Sequence, residues 1–528
     1  MKTPMVYLIG AGPGDPWLIT ARGLRYLRLA DVVLYDHLVH PRLLRCARAD
    51  AERIDVGPAA PEAMEQEAIC YLLVEKAREG KIVARLKWGD PFVFDRGGEE
   101  ALFLHEQGVP FEVVPGIPAA IGVPAYAGIP VTYPGGGDTV TFVRGHEGEG
   151  RKRPPVDWKG LSRLGGTVVC YAGPRQMAGI LEALLAHGWT GTDQAALVFR
   201  GTLPQQESYQ GTIDEMAEIA RRPGGREPGM LIVGRVTGLR EHLRWFDARP
   251  LFGKRIVVTR PREQAGEFVE QLEALGATVI EAPAIRIAPP DDFGPLDAAV
   301  ASAGTFDWMV FTSVNGVDSF MQRLPLGPGD IRDLKGVRIC AVGPGTADRL
   351  RQHGIKVELM PPEYGAEAVL DAIREAGPLD GKRVLMPRAD VAREPLADHL
   401  RKSGAEVAEV TAYRSVPVEI DDPNEPDIYR MLLDQQIDVV TFTSPSTVRR
   451  FLRLYGKDQA ADLLASTIVA SIGPVTAEAA EQGGVHTTVL PAEYTIAGLV
   501  RAIVEYFERA PAGPAPGRRP APQAREGA

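Results

Sequence analysis

Cysteine is scarce in this chain. Its four thiols, Cys46, Cys70, Cys170 and Cys340, lie far apart and share no metal-ligand spacing, so no disulfide framework or zinc site is written into it. Buried free thiols in a reducing compartment are the expectation. Runs of lysine or arginine are also missing, and the formal charge is -10 at pH 7. That balance argues against nucleic acid or any other polyanion as partner. No apolar stretch is long enough to span a bilayer. The opening residues, MKTPMVYLIG, enter a strand pattern without the apolar core and cleavage site of a signal peptide. His37, His146 and the other histidines are dispersed, so no metal is expected. The chain is expected to be cytoplasmic, with no nucleic-acid or membrane partner.

What is present is ordinary α/β material in unusual quantity. At 528 residues, 45% hydrophobic and 24% charged, the chain is too long for one core and predicts two or three domains. Met5 to Ile9 reads as a strand entering Gly10-Ala11-Gly12-Pro13-Gly14-Asp15, and Val32 to Asp36 as a second strand ending on a carboxylate. Strands and helices then alternate through KIVARL (Lys81 to Leu86), WGDPFVFDRGGEE and FEVVPG. That order predicts an α/β fold with active loops at strand C-terminal ends. A second block starts near Thr139 and ends with GMLIVGRV, and the polar stretch from Gly145 to Val156 reads as surface loop. After a junction at Asp247 to Gly253 the pattern restarts at Lys254. The predicted boundaries are 1–247, 253–510 and a Pro-, Gly-, Ala- and Arg-rich tail, 511–528, with too little to pack.

The C-terminal part repeats itself. Asp307 opens FDWMVFTSVNG and Asp438 opens IDVVTFTSPS, both strands ending in Phe-Thr-Ser. Each is followed by a second echo, AVGPGTADRL and SIGPVTAEAA, and RIVVTRP is echoed by RVLMPRAD. A duplicated α/β unit whose two lobes face each other across a cleft is the reading. Thr312, Ser313, Asn315, Thr443, Ser444 and Ser446 stand where strands end and helices begin, as do Gly343, Thr346, Gly473 and Thr476. Hydroxyls and backbone N–H groups at such points suit carboxylates and also cap helices. Arg260 and Arg388 end matching strands and suit acidic substituents. Thr441 and Phe442 read as core. Repeats alone leave open which strands share a sheet.

From about Val6 to Phe246 the chain resembles the uroporphyrinogen-III C-methyltransferases of the tetrapyrrole methylase class. The resemblance rests on VYLIGAGPGDP, DVVLYD, RLKWGDPFVFDRGGEE, PFEVVPG, PAYAGIPVT, RGTLPQQ and LIVGRV. It implies two α/β lobes, a homodimer through this domain, S-adenosyl-L-methionine held between the lobes, and two methylations of uroporphyrinogen III. It carries donor binding onto Gly12, Pro13, Gly14, Gly89, Asp90, Pro118, Ala119 and Ala172. Asp36 and Arg96 match polar residues that act near the substrate. The pattern is broken at several ligand positions. Trp88 and Asp95 replace glycines, Pro58 a lysine, Pro118 a threonine and Ala172 a methionine, while Tyr133-Pro134-Gly135-Gly136 replaces His-Arg-Asp-Tyr.

Lys254 to Arg509 resembles uroporphyrinogen-III synthase through VVTRP, VFTSVNGV, VGPGTA, GKRVLMPRAD, AYRS, FTSPSTVRRF, SIGPVTAEA and AEYTIAGLV. This implies closure of linear hydroxymethylbilane with inversion of the last ring and loss of water, using no cofactor. Tyr413, in AYRS, matches the tyrosine associated with catalysis, and a phenol is able to donate a proton to the departing hydroxyl. The leading expectation is therefore a synthase fused to a methyltransferase-like domain altered at its ligand positions. The alternative is a fully bifunctional enzyme that carries hydroxymethylbilane through to precorrin-2. A two-lobed binding or regulatory protein is a third reading of different class.

Overall fold

The computed structural model describes residues 4–57, 64–145, 156–221, 229–282, 285–361, 366–390, 395–417 and 426–509. Pro58, most of the loop Gly145 to Val156 and the tail 511–528 lie outside these residues. Contacts divide the chain into two units, Met1–Gly253 and Lys254–Pro511.

The first unit carries two five-stranded sheets. In one, β1 (Met5–Gly10), β2 (Val32–Tyr35), β3 (Glu52–Asp55), β4 (Ile82–Lys87) and β5 (Phe111–Val114) pair in the order β3-β2-β4-β1-β5, all parallel. Both faces are covered, so these strands read as near-continuous apolar runs. In the other, β6 (Val140–Arg144), β7 (Thr167–Ala172), β8 (Gln194–Phe199), β9 (Glu207–Thr212) and β10 (Gly229–Val233) pair as β6-β7-β10-β8-β9. Here β10 runs antiparallel to both its neighbours, β7 and β8. Sequence periodicity does not reveal β3 (ERID) or β9 (ESYQGT), because neither contains a fully buried residue. It also misses the helix Ala119–Tyr126, whose Gly122 and Pro124 mask the pattern.

The second unit comprises β11 (Arg255–Val258), β12 (Thr278–Glu281), β13 (Ile285–Ala288), β14 (Trp308–Phe311), β15 (Arg338–Ala341), β16 (Arg383–Ala389), β17 (Glu406–Pro417), β18 (Val439–Phe442) and β19 (Ile468–Ser471). One sheet is ordered β12-β11-β18-β19 and the other β13-β17-β16-β14-β15. All pairs are parallel except the β13 edge. Strands from the start and the end of this unit thus share one sheet, while its middle supplies the other. Thr441 and Phe442 are fully buried, the Thr441 hydroxyl donating to Val257 O at 3.0 Å, so they belong to the core as expected.

Parallel pairing has one consequence for function. All the strands of a parallel sheet end on the same edge, so residues distant in sequence are collected there. Thr259–Arg260, Thr443–Ser444 and Ile472–Gly473 follow β11, β18 and β19. Thr312–Ser313 and Val342–Gly343 follow β14 and β15 of the other sheet. Gln264 and Asn315, in the first turns of the helices Arg262–Ala274 and Val314–Arg323, join in a hydrogen bond, so these two edges meet.

Candidate active sites

In the first unit three strand ends converge without side chains. A Cβ on Gly10 would lie 2.5 Å from Gly116 Cα, and one on Gly116 would lie 2.1 Å from Gly89 O. Only glycine lets these loops close. Gly12 and Gly89 exchange backbone hydrogen bonds at 3.2 and 2.8 Å, with φ of +80° and +71°. Asp90 clamps the same place, its Oδ2 accepting from Gly116 N at 2.9 Å and its Oδ1 from Phe92 N at 2.8 Å. Pro13 packs on Gly122, and Gly14 closes on Thr202. Thr202 Oγ1 accepts from Asp15 N at 3.0 Å, and Asp15 Oδ2 accepts from Tyr126 OH at 2.7 Å. Burial and this carboxylate push the Tyr126 phenol up. Gly14 thus serves contact between loops of the two sheets.

The substituted positions have found partners. The indole of Trp88 donates to Pro13 O at 2.9 Å. Pro118 precedes the helix Ala119–Tyr126 with no side-chain cap, and Tyr171 OH accepts the Ala120 N–H at 3.1 Å. Asp95 lies 3.1 Å from Lys87 Nζ and accepts from Arg96 N at 2.7 Å; burial pushes its carboxyl above the usual range. Tyr133 is exposed.

Ala172 requires a correction. Strand alternation puts Cys170 and Ala172 in the core against the helix Pro174–Ala186, whereas Val169 and Tyr171 face the helix Ala119–Tyr126. Its side chain is therefore turned away from the loops around Gly89. Ala119 is also buried, at 1% exposure.

Asp36 follows β2 directly and accepts from Arg85 Nη2 at 2.8 Å. Arg96 caps the helix Gly97–Glu106 and pairs with Glu99. Sequence reasoning missed Arg85, Lys87 and Glu100, which are buried between these two. The available signal was the pair of cations in the otherwise apolar strand segment of RLKWGDP. It also missed Thr202 and Phe94, two non-glycine residues at positive φ. Phe94 meets Tyr171 edge-on with ring centroids 5.2 Å apart.

In the second unit Tyr413 is core and site at once. Its ring is 8% exposed, and its hydroxyl lies 3.1 Å from Ser313 Oγ. Ser313 also caps the helix Val314–Arg323 by accepting from Gly316 N at 3.1 Å. In the other sheet Ser444 caps the helix Pro445–Tyr455, accepting from Thr447 N at 3.3 Å, and lies 2.8 Å from Ser446 Oγ. Gly473 backs onto Tyr494, 3.3 Å from where its Cβ would be. Gly343, at φ +96°, has open space there.

The two arginines differ. Arg260 meets Gln264 Oε1 at 3.4 Å, and burial pulls its pKa below the usual range. Arg388 is already engaged, its Nε 2.8 Å from Glu409 Oε2, leaving a buried Nη1 without a partner among the described residues. Thr346 and Thr476 stand at helix starts after strands, as expected, but are buried there. Both lie in helix first turns, at 5% and 3% exposure, on the face carrying the buried residues Ala347 and Leu350 or Ala479 and Ala480.

Residues 5–217 match the family described as Tetrapyrrole (Corrin/Porphyrin) Methylases, and residues 266–501 that described as Uroporphyrinogen-III synthase HemD. A porphyrin biosynthesis protein HemD from Ruminiclostridium josui is 34% identical over 507 residues, 96% of this chain and 98% of that protein. A siroheme synthase from Ectopseudomonas mendocina is 48% identical over 243 residues, 46% of this chain and 52% of its own length. The crystal structure of a uroporphyrin-III C-methyl transferase from Thermus thermophilus complexed with S-adenyl homocysteine shares 38% identity, with TM-score 0.39, over 44% of this chain and 99% of that one. The chain belongs to the HemD-type porphyrin biosynthesis family, as a tetrapyrrole-pathway enzyme that fuses a tetrapyrrole methylase region to a uroporphyrinogen-III synthase region.

Proposed function

We propose that the enzyme is fully bifunctional: its second unit closes hydroxymethylbilane to uroporphyrinogen III, and its first unit methylates that product twice to precorrin-2. This prefers the alternative over the leading expectation of a synthase fused to a methyltransferase-like domain altered at its ligand positions. The observation that carries it is internal compensation. Where Pro118 removes a hydroxyl, Tyr171 takes up the orphaned helix N–H; the Trp88 indole is spent on Pro13 O; Asp95 is paired with Lys87. A decaying site would accumulate unpaired polar groups and open space. The likeness to one relative across nearly the whole chain adds support.

The residues around Gly89 fit a methyl donor bound largely by main chain. Beyond its two chain neighbours, a Cβ there would meet nothing closer than Ala119 N at 3.7 Å, and the carboxylate of the adjacent Asp90 is engaged by Gly116 N and Phe92 N. Gly12, Pro13, Gly89, Asp90 and Pro118 would hold S-adenosyl-L-methionine, which supplies the electrophilic methyl group. Asp36 and Arg96 orient the pyrrole to be methylated, and Asp36 takes the proton that the adjoining methylene bridge gives up.

In the second unit we read the repeat as two copies exchanged between two lobes, with the substrate in the cleft between strand ends. The reaction passes through electron-rich pyrroles that stabilise their own cations, so no strong nucleophile is required. The protein holds a flexible polycarboxylate curled so that the inverted closure wins. Tyr413 donates its proton to the departing hydroxyl, which leaves as water. Arg260, with no carboxylate pairing it among the described residues, receives a substrate carboxylate, as do the helix starts at Ser313, Gly343, Ser444 and Gly473. We further propose a homodimer through the first unit, which light scattering on the full chain would report as twice the chain mass.

The test supplies uroporphyrinogen III and S-adenosyl-L-methionine and follows the product by mass. A gain of two methyl groups is expected; recovery of unmethylated substrate would return the first unit to a scaffold.

A further inference from the structure

Ionised side chains lie buried in β4, where packing would ordinarily put apolar ones. Arg85 and Lys87 are 2% and 1% exposed, and Glu100, from the helix Gly97–Glu106, is 0% exposed. Arg85 Nη2 donates to Asp36 Oδ1 at 2.8 Å and its Nε to Glu100 Oε1 at 3.3 Å. Lys87 Nζ donates to the same Glu100 oxygen at 2.9 Å and lies 3.1 Å from Asp95 Oδ1. Asp95 Oδ1 accepts from Arg96 N, and Gln66 Nε2 donates to Glu100 Oε1 at 3.1 Å. A continuous line of charge therefore joins Asp36 to the backbone of Arg96.

Taking each ion out of water is unfavourable until its partners offset the lost hydration. Apolar residues would fill the space at lower cost, so stability alone does not account for the arrangement. Arg85 is kept charged against that burial by Glu100 and Asp36. Burial likewise opposes the ionised form of Glu100, and Arg85 and Lys87 outweigh it. The Oε2 of Glu100 has no partner among the described residues, while its Oε1 serves both buried cations, so removing the carboxylate would leave Arg85 and Lys87 without their shared counter-ion.

We propose that Arg85, Glu100 and Lys87 are positioning residues for methyl transfer, with Glu100 as the hub that fixes Asp36 and Arg96 relative to each other. Arg85 alone spans Asp36 and Glu100, because its planar fork presents two donors in different directions. A lysine there keeps the charge and reaches one carboxylate. Asp95 extends the line to Arg96 in place of the glycine expected at that position. The inference rests on the reading of the first unit as a methyltransferase with Asp36 and Arg96 at its substrate.

The test is a double-mutant cycle on the full chain with Asp36→Asn, Arg85→Lys and their combination. Methyl-transfer kcat and KM are measured, and S-adenosylhomocysteine affinity is followed by calorimetry. Arg85→Lys is expected to lower kcat roughly ten- to hundredfold, the scale of a slight misplacement of reacting groups, with S-adenosylhomocysteine affinity unchanged. In the Asp36→Asn background the same change is expected to cost under about threefold, because Arg85 acts through Asp36. Equal losses in both backgrounds, or no loss, overturn the inference alone. Wild-type kcat in Asp36→Asn overturns the reading of Asp36 and the inference with it. Should Arg85→Lys not fold, the same cycle with the isosteric Glu100→Gln decides by the same outcomes.

Discussion

Tyr413 divides its labour between ring and hydroxyl. The ring belongs to the buried cluster that includes Phe311, Val410 and Ala412, and the hydroxyl rests against Ser313. Tyr413→Phe keeps the packing and removes one polar group, so thermal stability is expected to change by no more than about 1 kcal/mol. Synthase turnover is expected to fall tenfold or more, in the range typical of general acid catalysis. Steady-state assay beside a thermal melt checks both; a full rate in the variant would remove the proton-donor role. Trp88 is the complementary case, with its nitrogen committed to Pro13 O. Trp88→Phe is expected to weaken donor binding by a few-fold through loosening of the glycine loop, measured by calorimetry with S-adenosylhomocysteine.

Several of these residues were legible before the fold was known, and their legibility had physical limits. Asp36 ends a strand beside a glycine-rich turn, and its place follows from periodicity. The side of a strand on which Ala172 falls depends on which face is covered by which helix, and the pattern TVVCYAG, apolar at nearly every position, carries no parity. Thr346 and Thr476 sit where an open hydroxyl and a buried helix face are one residue apart. Arg85 and Lys87 look like solvent-facing charges until Glu100, from a later helix, is placed over them.

At the scale of helices and strands, termini set both stability and site. Ser444 accepts from Thr447 N and begins the helix Pro445–Tyr455. Ser444→Ala is expected to destabilise the second unit by about 1 kcal/mol, the usual cost of a lost N-cap, as denaturant titration would show. His40 caps the short helix Pro41–Arg45 through Nδ1, which accepts from Arg42 N at 3.2 Å. Burial, with Arg42 adding to it, pushes the imidazole down to about 4 from 6.5. A base depressed in the folded state contributes fully above its unfolded value and loses that contribution as pH falls through the folded one. The first unit is thus expected to lose stability from pH 6.5 to 4, and His40→Asn, which still caps, to lose less over that range. Parallel melts of the two proteins would show the difference; superimposable pH profiles would contradict it.

For the whole molecule the α/β class and the restart at Lys254 were readable from alternating strands, turns and helices. The exchange of strands between the second unit's sheets was not. The same repeat spacing fits two separate copies or two crossed ones, and only pairing of β11 with β18 distinguishes them. Crossing predicts that the second unit folds as one, since one sheet needs strands from both ends of it and the other is built from the chain between them. Leu385→Ala, in the sheet built from the middle of the unit, is expected to cost about 2–5 kcal/mol and to lower one transition rather than split it in two. Among the described residues no helix is long and apolar enough to cross a membrane.

The most direct measurement supplies purified full-length protein with hydroxymethylbilane, with and without S-adenosyl-L-methionine, and identifies the macrocycle by isomer and mass. The account predicts uroporphyrinogen III without the donor and its twice-methylated derivative with it. Accumulation of the uninverted isomer, or of uroporphyrinogen III unchanged in the presence of donor, would contradict it.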